Sequence, residues 1–268
     1  MTELEQAPTS ANTAPSEARS QRWTIKDALL AYLVATTLPV AVSIVLFYAG
    51  VRISIGLGTL LLDAMVVATM LHFSRRRSSV GLRDLGVRRT HARAAVGWVL
   101  LGLFASGVFS SVYAVVFHPA AARDPFQAAH ARGALAVTVL GLGAVLSAPV
   151  VEELFFRGFI YRAFRNSIPI LPAVLVNGVL FGAVHALSQH LAVLPELAFI
   201  GCIACLLYER TGSLLPAIAL HSYIDSSGFE FAVRHGQAGI SFFCFLILAL
   251  VFLLAPWRWH LRAGPKPA

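Results

Sequence analysis

Charge is what this sequence has least of. Of its 268 residues only 13% are Asp, Glu, Lys or Arg, against 57% hydrophobic, and the mean hydropathy is +0.74. A soluble domain of this length needs far more surface charge, so an integral membrane protein is expected. Cysteine is scarce too. Cys202, Cys205 and Cys244 all fall in apolar stretches, which excludes a disulfide framework. Cys202 and Cys205 form a CxxC without further ligands nearby, and read as small buried fillers. The chain lacks an internal repeat, which counts against a transporter built on inverted halves. It also lacks a nucleotide loop: no strand precedes Gly141 and Gly143, which with Ser147 form a small-residue face for close helix packing. Acidic residues are in the minority, and the net charge is +8. That basic surplus reads as membrane topology and contact with anionic lipid, and nucleic acid is excluded as a partner.

What remains is a run of apolar segments. Residues 1–22 are rich in Ala, Ser, Thr, Pro and Glu without periodicity and are expected to be a disordered tail. They lack the basic start of a cleavable leader, so the first span is expected to stay in the mature protein. Eight segments near the ~20 residues that cross a bilayer as a helix follow, at about 28–48, 53–73, 94–117, 134–156, 169–187, 190–208, 213–230 and 239–256. The expected fold is an all-α polytopic membrane protein. One transmembrane helical domain, 23–262, forms a bundle of about eight helices around an intramembrane cavity, and 263–268 is a short polar tail. The seventh segment has the weakest hydropathy, being interrupted by His221, Asp225 and serines. Between the second and third segments stand Arg75, Arg76, Arg77, Arg83, Arg88, Arg89 and Arg93 against a single Asp84. That excess places this loop, and by alternation both termini, in the cytoplasm. The Ala/Arg/Leu/Val-rich composition points to a bacterial cytoplasmic membrane.

Three short patterns put ionisable groups where a lipid-embedded helix should not tolerate them. They are Glu152-Glu153-Leu154-Phe155-Phe156-Arg157, Phe181 to His185, and His221 to Asp225. A charge at the bilayer centre costs a few kcal/mol on insertion scales, so such groups face a bundle interior and serve chemistry or transport. Glu153 and Arg157 are four apart and share a helical face, while Glu152 points about 100° away and is left free to act as a base. A connector near Asn166–Pro169 gives Glu152 and His185 similar depth in a helical hairpin. His221 and Asp225 again share a face, and Phe181 walls the site one turn before His185. Histidine nitrogen and carboxylate oxygen are ordinary zinc ligands, and a nearby glutamate can take a proton from a metal-activated water. A second histidine with a polar neighbour can hold the oxyanion of an attacked amide. Peptide-bond hydrolysis needs all of these parts. Asp63 and Glu196 read as interhelical hydrogen bonding or cavity lining, and Asn177 as a bond to a neighbouring helix.

Together EExxxR, FxxxH and HxxxD resemble the motifs of the CPBP family, the CAAX prenyl endopeptidase-like intramembrane metalloproteases that include Ras-converting enzymes and bacterial Abi proteins. The resemblance covers roughly 134–230. The approach Glu209-Arg210-Thr211-Gly212-Ser213-Leu214 and the loop Val80 to Gly86 are similar to the family's as well. It implies an eight-helix bundle with a water-filled cavity opening toward the cytosolic side. It implies that Glu152 activates water with His185 beside it, and that Glu153 and Arg157 support the first motif. His221 and Asp225 would complete the site, either holding the oxyanion or helping to bind zinc. The implied ligand set is Glu152, His185, His221 and Asp225, the metal Zn2+ or a similar divalent ion. Where the family often has Asn the chain has Asp225, which favours a ligand or His-orienting role over direct oxyanion donation. The expected substrate is a membrane-associated peptide or protein, and the oligomeric state is left open. Two other classes use the same residues: a catalytically silent scaffold or immunity protein, and an ion-coupled transporter with the carboxylates and histidines as a proton relay.

Overall fold

A computed structural model describes residues 23–76, 80–118 and 133–232. Among them there is no strand. The order is α1 (Ile25–Tyr48), α2 (Ile55–Arg75), α3 (Ala92–Phe117), a long α4, α5 (Ile170–Val184), α6 (Leu194–Thr211) and α7 (Leu215–Ala232). Short 3-10 turns, His185–Leu187 and Leu191–Val193, join α5 to α6. α4 is a relay of segments: α over Ala134–Leu142, π over Gly143–Ser147, α over Ala148–Glu153, π over Leu154–Tyr161 and α over Arg162–Arg165.

Local chemistry explains the ends. Thr24 and Asp27 form a reciprocal capping box that starts α1, and the Ser54 hydroxyl accepts from the Leu57 amide at the start of α2. Pro195 stands in the first turn of α6, where its missing N–H is not needed, and Gly212 ends that helix at φ 65°. Leu33, Phe47, Phe104, Val115 and Val179 are more than half exposed, as suits faces turned to lipid.

Six of these helices, α1 to α6, are long and apolar enough to cross a membrane. Among the described residues that makes six, so the expected count of about eight is not confirmed. The seventh expected span forms as α7, but His221, Ser222, Asp225, Ser226 and Ser227 keep it outside the apolar six. The eighth, 239–256, lies outside the described residues, as do the two tails. The fourth span also differs: expected to stop near 156, it continues to Arg165. Hydropathy cannot separate apolar residues facing lipid from apolar residues buried in protein, and Phe155 to Phe164 are nearly all of the second kind.

Between helices in lipid there is no hydrophobic drive, so close backbone packing must hold the bundle. α5 and α6 show it most plainly. A β-carbon built on Gly178 would lie 2.3 Å from Cys202 Sγ and 2.7 Å from the Ala198 carbonyl oxygen, and one on Gly182 2.7 Å from that of Leu194. Cys202 and Cys205 thus act as small packing residues, and Cys205 also donates to Asn177 Oδ1 at 3.1 Å.

One end of the bundle is closed by the arginine-rich loop. Leu85 is buried, the Gly86 carbonyl accepts from the Leu214 amide at 2.9 Å, Thr90 donates to the Thr211 carbonyl at 3.1 Å, and Arg162 donates to the Asp84 carbonyl. Gly158 lets this loop in, since its β-carbon would stand 2.6 Å from the Leu85 carbonyl oxygen. Trp23 ties in the start of α1, donating to the Ser74 carbonyl and accepting from Asn166. Arg75, Arg76, Arg83, Arg88, Arg89, Arg162, Arg165 and Arg210 therefore belong to one end of the molecule.

Candidate active site

Above that plug the three motifs meet. Gly158, Leu85 and Leu214 share one level. Glu153 stands five residues from Gly158 and His221 seven from Leu214, so at ~1.5 Å per residue each rises about 8–10 Å above it. The site thus lies inside the bundle, on α4, the end of α5, and α7.

Glu153 is the organiser. It is fully buried, and its Oε1 accepts from Arg157 NH1 at 2.8 Å and stands 3.0 Å from His221 Nδ1. Arg157, equally buried, donates through NH2 to the Gly201 carbonyl at 3.1 Å, and its guanidinium lies 4.3 Å over the Phe181 ring. A buried ion pair with extra hydrogen bonds and an aromatic face can bear the cost of leaving water; a lone charge could not. Because a carboxylate only accepts, the His221 Nδ1 carries the proton in this bond, and its Nε2 turns to the other side.

On that other side stands Glu152. Its Oε2 is buried without a hydrogen-bond partner. It lies 4.0 Å from His185 Nε2 and 3.8 Å from His221 Nε2. His185 Nδ1 is 2.7 Å from the Phe181 carbonyl oxygen, so it must donate, leaving Nε2 to face Glu152. Asp225 Oδ2 lies 3.5 Å from His221 Nε2. Phe181 walls the group, its ring centroid 4.9 Å from that of His185 and 5.5 Å from that of His221. The structure therefore brings together all six motif residues, Glu152, Glu153, Arg157, His185, His221 and Asp225. Asn177, one turn before Phe181, donates to the Phe156 carbonyl at 2.9 Å. Glu196 stands apart, accepting from Ser110 of α3.

A cavity of about 670 Å³ opens beside Glu152 and His185, walled by α1 from Ala35 to Tyr48 and by Leu62, Asp63 and Val66 of α2. It lies in the half of the bundle away from the arginine-rich loop. The Leu85 loop fills the end that carries those arginines.

Sequence reasoning did not anticipate several contacts. The Gly201 carbonyl carries no sequence signal as an acceptor. The bond from Glu153 to His221 joins helices that are not neighbours in the chain. The π segments flanking Glu152 and Glu153 were also unforeseen, although such bulges gather at functional sites.

The donor set suits a divalent metal in its chemistry: two imidazole nitrogens with free lone pairs, an orphaned carboxylate oxygen and a second carboxylate. Zinc bonds of ~2.0–2.1 Å place tetrahedral neighbours about 3.3–3.5 Å apart. The separations here, 3.5 to 4.0 Å, are a few tenths wider. Among the described residues no group of three stands at metal-holding distances.

Residues 134–227, which hold every motif residue, match the Rce1-like family, described as type II CAAX prenyl endopeptidase Rce1-like. Over this segment the chain is similar to the CPBP family, in line with the resemblance carried by its three motifs. It is 34% identical over 86 residues to an Escherichia coli protein named "Uncharacterized 24.3 kDa protein", covering 31% of this chain and 40% of that one. It is 28% identical over 132 residues to "Putative membrane peptidase YdiL" of Bacillus subtilis (strain 168), covering 49% of this chain and 52% of that one. The chain thus spans about half or less of the length of these curated relatives. No solved structure matches it.

Proposed function

We propose that this CPBP-like protein is an intramembrane endopeptidase in which Glu152 activates the attacking water. One observation carries the reading: on the wall of a cavity that His185 also lines, a buried Glu152 oxygen without a hydrogen-bond partner faces the Nε2 atoms of His185 and His221. The gap of 3.8 to 4.0 Å is too wide for direct hydrogen bonds, and a water between the three groups would satisfy them. Glu152 takes the water's proton as its oxygen bonds to the scissile carbonyl carbon. When its Nε2 also carries a proton, His221 donates to the developing oxyanion, and Glu153, bonded to Nδ1, holds the ring and compensates its charge; with Nε2 unprotonated the ring would offer its lone pair to a metal instead. The C–N bond then breaks, and Glu152 returns the proton to the leaving amine. Asp225 orients His221, and His185, locked by the Phe181 carbonyl, keeps the water in line. Glu152, His185, His221 and Asp225 would hold a zinc ion or similar divalent metal, which would supply Lewis acidity and a more acidic water. The substrate is a membrane-associated peptide or protein, in the CAAX-protease manner. The arginine end faces the cytoplasm of a bacterium.

The test is cleavage of an internally quenched farnesyl-cysteine peptide and its unprenylated counterpart by protein purified into lipid vesicles. Turnover is expected with at least one of them, with loss in Glu152→Gln, suppression by chelator and restoration by zinc. Active protein that holds no transition metal would remove the metal from the reading. Equal cleavage by wild type and Glu152→Gln would remove the reading itself.

A further inference from the structure

Asp63 is a lone acid inside the apolar helix α2, only 5% exposed, on an element that carries none of the three motifs. Its carboxylate accepts a hydrogen bond from Ser147 of α4. That bond is the last rung of a close approach between the two helices. A β-carbon on Gly56 would lie 2.6 Å from Val139 Cγ1, and one on Gly143 3.5 Å from Thr59 Cγ2. The contacts thus advance from 56 to 59 to 63 on α2 and from 139 to 143 to 147 on α4, one helical turn at a time. Small residues make the first two rungs; a buried charge-bearing hydrogen bond makes the third.

Its position matters because of what surrounds it. Ser147 ends one π segment, and another begins at Leu154. Each π turn carries an extra residue and breaks the regular 3.6-residue phase. Between them only Ala148–Glu153 is α-helical, and this short piece must aim Glu152 into the cavity and Glu153 at His221. Asp63 and Glu152 line that same cavity.

We infer that Asp63 is a positioning residue: through Ser147 it fixes the rotation of the α4 segment that aims Glu152 at the water. The inference rests on the role of Glu152 proposed above. A displacement of about 1 Å in a catalytic group can cost on the order of 100-fold in rate, so the hydrogen bond is expected to matter for turnover more than for binding.

The experiment measures kcat, KM and Tm for Asp63→Ala, Asp63→Asn, Ser147→Ala and the double variant Asp63→Ala/Ser147→Ala, with Glu152→Gln alongside and the farnesyl-cysteine peptide as probe. Asp63→Ala and Ser147→Ala should each lower kcat by about 10–100-fold with KM changed by less than about twofold. The double variant should be no worse than either single one, as expected for two ends of one bond. Asp63→Asn keeps an oxygen that accepts from Ser147 and should recover most of the rate. Should Asp63→Ala fail to fold, Ser147→Ala decides alone, since alanine is at ease in a helix. Wild-type kcat in folded Ser147→Ala would overturn the inference. So would Asp63→Asn as damaging as Asp63→Ala beside a harmless Ser147→Ala, which would assign the effect to charge. If Glu152→Gln cleaves as well as wild type, the proposed function fails instead, and the two failures are told apart.

Discussion

Replacing Glu153 by Gln should cost folding stability, whereas the same change at its neighbour Glu152 should not. Glu153 is fully buried, and its Oε1 serves both Arg157 at 2.8 Å and His221 at 3.0 Å. An amide in its place fills the same volume and can still accept one hydrogen bond, but it leaves the buried Arg157 without a counter-charge, beside only the Gly201 carbonyl and aromatic faces. Breaking one partner of such a buried pair costs about 3–5 kcal/mol, which by the size scaling of globular domains is about 6–20 °C in Tm. Glu152 is about a quarter exposed, and its Oε2 has no bond to lose, so Glu152→Gln should stay within about 0.5 kcal/mol of wild type, as substitutions clear of such features usually do. Turnover should be abolished there, because an amide cannot take the water's proton. Arg157→Ala should resemble Glu153→Gln and add an empty space beside Phe181. The assay is thermal unfolding in detergent and peptide turnover on the same preparations. A Glu153→Gln protein that is as stable as wild type but inactive, beside an active Glu152→Gln, would show that the two carboxylates have been assigned the wrong way round.

Two further outcomes test the frame around the site. With the arginine end in the cytoplasm, a Val80→Cys protein should react with an impermeant maleimide only after cells are permeabilised; labelling in intact cells would invert the orientation and put the cavity on the other face. Gly178→Ala should lower Tm, because its new methyl would meet Cys202 Sγ at 2.3 Å and the Ala198 carbonyl oxygen at 2.7 Å. Overpacking of this kind costs about 1–3 kcal/mol, and an unchanged Tm would show that α5 and α6 can part freely.

The contacts that sequence spacing made legible are those within one helix or one hairpin. Four-residue spacing placed Arg157 on Glu153 and Asp225 on His221, and the length of the α4–α5 hairpin placed His185 level with Glu152, where the nitrogen-to-oxygen distance is 4.0 Å. Illegible were the contacts between helices distant in the chain. Nothing in the spacing of Glu153 and His221 shows that their side chains bond, because they stand 68 positions apart with two other helices between them. The run of α4 to Arg165 was hidden for a different reason. Burial against Leu85 and Leu214 demands the same residue types as burial in lipid, so hydropathy reports neither a π segment nor a protein-facing wall. The sidedness of the cavity likewise depends on Gly158 admitting a loop, and a single glycine in an apolar run announces no partner.

The adjacency of the two glutamates has a physical logic of its own. In a medium of low dielectric a carboxylate is stable only when paired, yet a carboxylate committed to a pair cannot take a proton from water. One residue cannot satisfy both demands. Two consecutive residues on a helix can, because they point about 100° apart. Glu153 points into protein, where its Oε1 finds Arg157 and His221; each glutamate keeps an unbonded Oε2, but that of Glu152 faces the two Nε2 atoms beside the cavity. The same ring joins the two roles, since His221 gives its Nδ1 to Glu153 and turns its Nε2 toward Glu152 at 3.8 Å. A change at the paired glutamate therefore reaches the free one through an imidazole, and stability and turnover should fall together at Glu153 but separate at Glu152.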